Sequence, residues 1–98
     1  MTIEIKKMGT EAVIEVAGRL DTTTAPVLDK TISENISKNT NLTLDLKGLE
    51  YISSAGLRVL LSAQKRMQTS GSMKLRNVCE EVMDVFEMTG FADILEFA

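Results

Sequence analysis

The sequence predicts an α/β fold, a mixed and mostly parallel sheet of roughly 4–5 strands packed with roughly 3–4 helices. Two observations carry that prediction. Leu42, Leu44 and Leu46 alternate with Thr43, Asp45 and Lys47, the period of a strand with one buried face. Helical periodicity lies on either side of that run, and a strand between two helices pairs in parallel with its neighbours. A chain of 98 residues has room for one core, and buries roughly 60–65% of its unfolded surface without needing staples.

The elements follow in order. Ile3 and Ile5 alternate with Glu4 and Lys6 as a short strand. Gly9-Thr10 is a turn, and Ala12, Ile14 and Val16 share one face of a second strand, making a hairpin. Gly18 to Asp21 leaves the sheet as a loop. A first helix, near residues 24–38, is capped by Thr23 or Thr24. Pro26 is tolerated in its first turn, where the missing N–H has no partner to lose. Its buried stripe is Val27, Leu28, Ile32 and Ile36. The strand at Leu42–Leu46 comes next, with Asp45 a solvated or loop-bonded carboxylate by default.

A central helix over residues 54–70 ends at Gly71, in the left-handed cap position. Met73 and Leu75 mark a further short strand. Asn77 caps a third helix, near residues 78–89, with Glu80 as capping-box partner and Val78, Val82, Val85 and Phe86 on the core side. Gly90 ends that helix, with Phe91 placed to contact Phe86. Residues 94–97 are a terminal strand or a loose tail. Leu44, Leu46, Leu57, Leu60, Leu61, Val82 and Phe86 form the expected core, and Met67, Met73, Met83 and Met88 serve mostly as core filling.

Composition removes several function classes. The formal charge is −3, with 11 basic residues scattered along the chain. Nucleic-acid binders carry a basic patch, so no nucleic-acid partner is expected. There is no histidine, which rules out Ser-His and Cys-His catalysis and the common zinc sites. The single cysteine, Cys79, forms no internal disulfide and reads as a small apolar helix residue. No phosphate loop or dinucleotide fingerprint occurs, and Glu80, Glu81 and Asp84 read as a charged helix face. Neither a signal peptide nor a membrane span is visible. The expectation is a soluble cytoplasmic monomer with no cofactor, no metal and no enzymatic activity.

The stretch LEYISSAGLRVLLSAQKRM, residues 49–67, carries the functional interest. An apolar run ends at Ser53 and Ser54, Ala55 and Gly56 follow, and Leu57, Leu60, Leu61 and Met67 then fall on one helical face. Ser53 or Ser54 occupies the N-cap, and the small pair leaves the approach to that oxygen open. A serine there is by default only a cap. It is also a hydroxyl at the positive end of a helix dipole, well placed to carry a phosphate.

Ser53-Ser54-Ala55-Gly56-Leu57 resembles the Asp-Ser-Ser/Thr-Gly-Leu signature of STAS domains, especially the bacterial anti-sigma-factor antagonists. Gly18-Arg19-Leu20-Asp21 resembles their Gly-x-Leu-Asp loop, and LTLDLKGLEYI, residues 42–52, their central strand and loop. The resemblance covers the chain from end to end and implies one STAS domain over residues 1–98. It implies a protein that binds an anti-sigma factor doubling as a serine kinase, and that releases it once phosphorylated. A metal-dependent serine phosphatase then resets the switch.

Register counted from Gly56 puts Ser54 at the phosphorylated serine, Ala55 at the second hydroxyl and Ser53 at the aspartate. The lost aspartate leaves Ser53 as the alternative acceptor. The implied partner surface joins Asp21, Thr22, Thr23 and Thr24 to Ser53, Ser54, Ala55, Gly56 and Arg58. Asp21 is either a contributor to partner binding there or a turn carboxylate. Two competing functions are a non-phosphorylated interaction subunit of a larger sensor or transport complex, and a weak nucleotidase.

Overall fold

In a computed structural model describing residues 1–98, β1 (Thr2–Met8) and β2 (Glu11–Leu20) form the expected antiparallel hairpin. β3 (Thr40–Ile52) pairs in parallel with β2, and β4 (Gly71–Arg76) in parallel with β3. The sheet order is β1-β2-β3-β4. α1 (Ala25–Asn35), α2 (Ser54–Ser70) and α3 (Glu80–Thr89) alternate with the later strands, and a 3₁₀ turn spans Phe91–Asp93. A fifth strand does not form; Phe97 makes a single parallel bridge to Leu75.

The helices cover one face of this sheet. Ala12, Ile14, Val16, Leu42, Leu44, Leu46, Met73 and Leu75 point into a core of 21 buried residues. The other face carries Glu4, Lys6, Glu15, Thr43, Asp45, Lys74 and Arg76, matched across the strands by the register. Parallel sheets usually bury both faces and read as continuous apolar runs. Here one face meets water, which is why β3 alternates so clearly in sequence.

The pairing of β2 and β3 continues further than the alternation suggests. Leu46, Leu49 and Ile52 are buried at a spacing of three rather than two. Irregularities between Glu15 and Ala17 and between Gly18 and Arg19 absorb the mismatch and keep the pairing going to Leu20 and Ile52. Gly18 to Leu20, expected as loop, is therefore strand.

α1 is shorter than expected, ending at Asn35, with Ile36 already extended. Its buried face is Ala25, Leu28 and Ile32, whereas Val27 is 52% exposed, lying about 100° around the helix from Leu28. α2 runs over the expected residues. Leu57, Leu60 and Met67 are buried; Leu61 is only half-buried, and Ala63 and Gln64 are buried instead. Gln64 is satisfied on both sides: its Nε2 donates to the Met73 carbonyl at 3.3 Å, and its Oε1 accepts from Glu96 N at 3.2 Å. Gly71 caps α2 by donating to the Met67 carbonyl. Its φ is 158°, close to extended rather than left-handed helical, and a Cβ there would collide with the Thr40 backbone.

α3 departs most from its expected start. The N-cap is Cys79, without a side-chain cap bond, and the helix begins at Glu80. Asn77 is in the left-handed region, at φ 59°, and its Nδ2 donates to Asp45 Oδ1 at 3.1 Å. Val82 and Phe86 are buried, Val78, Val85 and Met83 pack partly against the core, and Met88 is exposed. Phe86 pairs with the Phe97 ring, with centroids 6.1 Å apart.

Asp45 is not solvated. It is 7% exposed, and its carboxylate accepts from Lys47 N at 3.0 Å, Asn77 Nδ2 at 3.1 Å and Arg76 Nη2 at 3.0 Å. Burial raises its pKa, but the bonds from Asn77, Lys47 and Arg76 outweigh this and hold the carboxyl below its ordinary value. Cys79 Sγ lies 3.5 Å from the Leu49 carbonyl, so the start of α3 is tied to β3 twice.

Leu60→Ala should cost about 2–5 kcal/mol in urea unfolding, from lost transfer energy and the cavity together. For Asp45 the lowered folded pKa means stability that is present above the unfolded value, about 3.9, and lost as pH falls through the folded value. Asp45→Asn should be destabilised by about 1.5–3 kcal/mol at pH 7. The gap to the unsubstituted protein should narrow in unfolding curves taken below pH ~4.

Candidate functional site

Two loops meet where β2 and β3 end. Leu20 pairs with Ile52, and the next amide, Ser53 N, donates to the Leu20 carbonyl at 2.9 Å. The segment from Asp21 to Thr24 therefore lies directly beside the turn from Ser53 to Gly56. Such loops, at the carboxyl ends of parallel strands, are where open α/β sheets gather ligands and partners.

The first loop is built on Asp21. Its Oδ1 accepts from Thr23 Oγ1 at 2.8 Å, Thr23 N at 3.0 Å and Thr24 N at 3.1 Å. The Thr23 hydroxyl, then the Thr24 amide, hold the carboxyl below its ordinary pKa. Thr24 is the N-cap residue of α1, but its hydroxyl does not cap the helix. It accepts from Asp21 N at 2.8 Å and lies 2.8 Å from the Arg19 carbonyl and 3.2 Å from Asp21 Oδ1. One hydroxyl proton serves one of those two acceptors, and the shorter contact is Arg19. The Asp21 carboxylate thus holds its own loop together, and Thr22 and Thr23 stand exposed on it.

The second loop divides the serines between two positions. Ser53 is extended, at φ −96° and ψ 175°, and is the N-cap of α2. Its Oγ accepts from Gly56 N at 3.4 Å, and its carbonyl from Leu57 N at 3.0 Å. Ser54 is the first helical residue and is exposed, while Ser53 is half-buried. Ser54 thus sits just past the cap rather than on it. Its hydroxyl lies at the end where α2 presents unpaired N–H groups.

Gly56 does not hold the approach open. It is buried, and a Cβ there would lie 2.7 Å from Leu20 Cγ and 2.9 Å from Ile52 Cγ1. Its small size lets α2 seat against the two strand ends. Ala55 is half-buried against the core. The reachable groups of this turn are Ser54 and, one turn on, the exposed Arg58. Helical side chains lean toward the N-terminus, which brings Arg58 back toward Ser54.

Sequence reasoning missed two features around this site. The Arg19 guanidinium lies 4.0 Å from the centre of the Tyr51 ring, a cation–π stack on exposed side chains at the ends of β2 and β3. Each stands one residue before a buried strand end, Leu20 or Ile52, and only the pairing register reveals that they face each other. The basic residues are also less scattered than their numbering suggests. Arg58, Lys65 and Arg66, with Leu61 and Ser62, line a shallow groove of about 340 Å³ along α2. Arg66 also reaches across to α1, with Nη2 3.0 Å from Asp29 Oδ1 and Nη1 2.6 Å from Ser33 Oγ.

Comparison with known proteins places this geometry. The family model described as STAS domain matches residues 2–98. The chain is 32% identical over 99 residues to the anti-sigma-B factor antagonist of Listeria monocytogenes, an alignment covering 98% of this chain and 87% of that one. The crystal structure of an anti-sigma factor antagonist from Mycobacterium paratuberculosis superposes with a TM-score of 0.86 at 21% identity, over 98% of this chain and 83% of the other. The Bacillus cell fate determinant SpoIIAA in its phosphorylated form has the same fold, with a TM-score of 0.73 at 17% identity, covering 99% and 91% of the two chains. No helix here is long and apolar enough to cross a membrane.

Melting of Asp21 variants tests whether the carboxylate organises its loop. Asp21→Asn keeps an oxygen acceptor for the Thr23 and Thr24 bonds, so its melting temperature should stay close to that of the unsubstituted protein. Asp21→Ala removes the acceptor for the Thr23 and Thr24 groups and should lower the melting temperature. Equal melting of all three proteins would mean that the carboxylate does not organise the loop.

Proposed function

We propose, from the premise that the chain belongs to the STAS domain family, that it is an anti-sigma factor antagonist worked by phosphorylation of Ser54. Unphosphorylated, it binds an anti-sigma factor through the Asp21–Thr24 loop, the start of α2 and Arg58. That partner is also the serine kinase, and transfer of a phosphate to Ser54 ends the complex. A metal-dependent serine phosphatase restores the binding form. The protein acts by occupying its partner, not by catalysis.

The observation that carries this reading is the split between the serines. Ser53 is half-buried and its Oγ accepts from the Gly56 amide at 3.4 Å, whereas Ser54 is exposed at the first position of α2 beside the Asp21 loop. A phosphate on Ser54 would meet the free amides of the first turn and Arg58, so the fold can accept it. The effect falls on the partner. One unit of like charge at ~4 Å costs about 4 kcal/mol at an effective dielectric near 20, roughly a thousandfold in affinity.

Labelling by the host's anti-sigma kinase tests the assignment. Ser53→Ala should keep the label and Ser54→Ala should lose it; the reverse pattern would move the site to Ser53. Ser54→Asp should fail to capture the kinase. Ser54→Ala should capture it and resist release by ATP.

A further inference from the structure

β1 is the outer strand of the sheet, and nothing in the fold covers it. Of its 7 residues only Ile3 is even half-buried. Ile5 is 40% exposed although it pairs with Ile14 on the helix-bearing face. Met8 is 82% exposed. A bare edge of this length offers unpaired N–H and C=O groups to another strand, and folds that keep such an edge apart usually shorten, bend or cover it or line it with charges, so the pairing of Glu4, Lys6 and Lys7 decides whether this edge can associate. The side chains determine which strand fits.

Odd and even residues of β1 lie on different faces. Ile3, Ile5 and Lys7 share the helix-bearing face with Val16, Ile14 and Ala12; Glu4 and Lys6 share the open face with Glu15 and Val13. In an antiparallel pair, directly opposed residues lie on one face. A second copy of β1 that keeps the helix-bearing faces together can therefore be centred on Glu4, Ile5 or Lys6 with most of its length paired. Centred on Glu4, two glutamates meet. Centred on Lys6, two lysines meet. Like charges directly opposed destabilise a sheet. Centred on Ile5, Glu4 faces the partner's Lys6, Lys6 faces the partner's Glu4, and Ile5 packs on the partner's Ile5. Lys7 then covers the partner's Ile3 with its apolar stem.

We propose that β1 is a self-association edge, pairing antiparallel about Ile5 with a second copy of this chain to continue the sheet across a two-fold axis. Lys6 Nζ already lies 2.9 Å from Glu15 Oε1. In the pair it stands between that carboxylate and the partner's Glu4. The isologous contact closes on itself, so it stops at a dimer. An edge of 7 residues buries less than the roughly 1,200 Å² of a stable interface, so the dimer is weak and reversible. The monomer expected from the sequence is its dilute state. Ser54 and Arg58 lie on α2, outside the pairing edge.

Sedimentation of the full chain from micromolar to millimolar concentration at low salt reads this directly. The weight-average mass should climb toward twice the monomer. Lys6→Glu alone and Glu4→Lys alone should each stay monomeric, because the centred register now opposes like charges. An equimolar mixture of the two should regain the dimer, and the double reversal in one chain should dimerise like the unsubstituted protein. Circular dichroism of each variant checks that the hairpin still folds. A chain that stays monomeric throughout the range overturns the proposal. So do folded single variants that associate as well as the unsubstituted chain, or a mixture of folded variants that regains nothing.

Discussion

The parallel pairing of β2 and β3 down to Leu20 and Ile52 is the constraint on which the rest of this structure depends. It sets two loops side by side, because a chain leaving one strand end must start beside the chain leaving the other. The Ser53 amide bond to the Leu20 carbonyl fastens them. Gly56 then admits α2 against those two side chains, where a Cβ would intrude. The cap at Ser53, the exposure of Ser54 and the direction of Arg58 all follow from where α2 is made to begin. The register irregularities after Glu15 and Gly18 are what let the pairing reach that far.

A second feature is that only one face of the sheet is covered. The helix-bearing face supplies one continuous core, while the open face is a lattice of polar pairs, from Lys6 and Glu15 to Asp45 and Arg76. Most of these pairs are exposed and contribute little. Asp45 differs because it is buried and has partners from three directions. Through Asn77 it ties the end of β4 to β3, just before α3 begins. The covered face also explains why Gln64 can sit in a buried helical stripe: both ends of its amide meet backbone groups of the β4 and C-terminal segments.

Proximity of the loops bears on what each serine can do. A cap serine is engaged by the helix it starts, and modifying it would trade one interaction for another. The next residue is free of that duty and still lies in the field of the helix terminus. The Arg19–Tyr51 stack, at the ends of the same two strands, adds two residue types enriched in interface hot spots.

Much of this was legible in the residues. The alternation of Leu42, Leu44 and Leu46 identified a half-buried strand, and the spacing of Leu57, Leu60 and Met67 identified α2 with its bounds. Local periodicity and cap chemistry determine such things, since they concern neighbours in the chain. The same rules failed where a distant partner won. Asn77 has the chemistry of a cap, yet α3 begins only after Cys79 and the Asn77 amide goes to Asp45, 32 residues away. Val27 is apolar and near the α1 stripe, but the core lies to the side of Ala25 and Leu28. Gly56 looked like clearance for a hydroxyl and proved to be clearance for Leu20 and Ile52. By itself the sequence determined the order and type of the elements, the one-sided sheet and the pair of candidate serines. Which serine is the cap, which carboxylate is buried and which residues face each other across strands were decided only by tertiary pairing, because hydrogen bonds and packing contacts far apart in the chain outweigh local preference wherever both compete for one side chain.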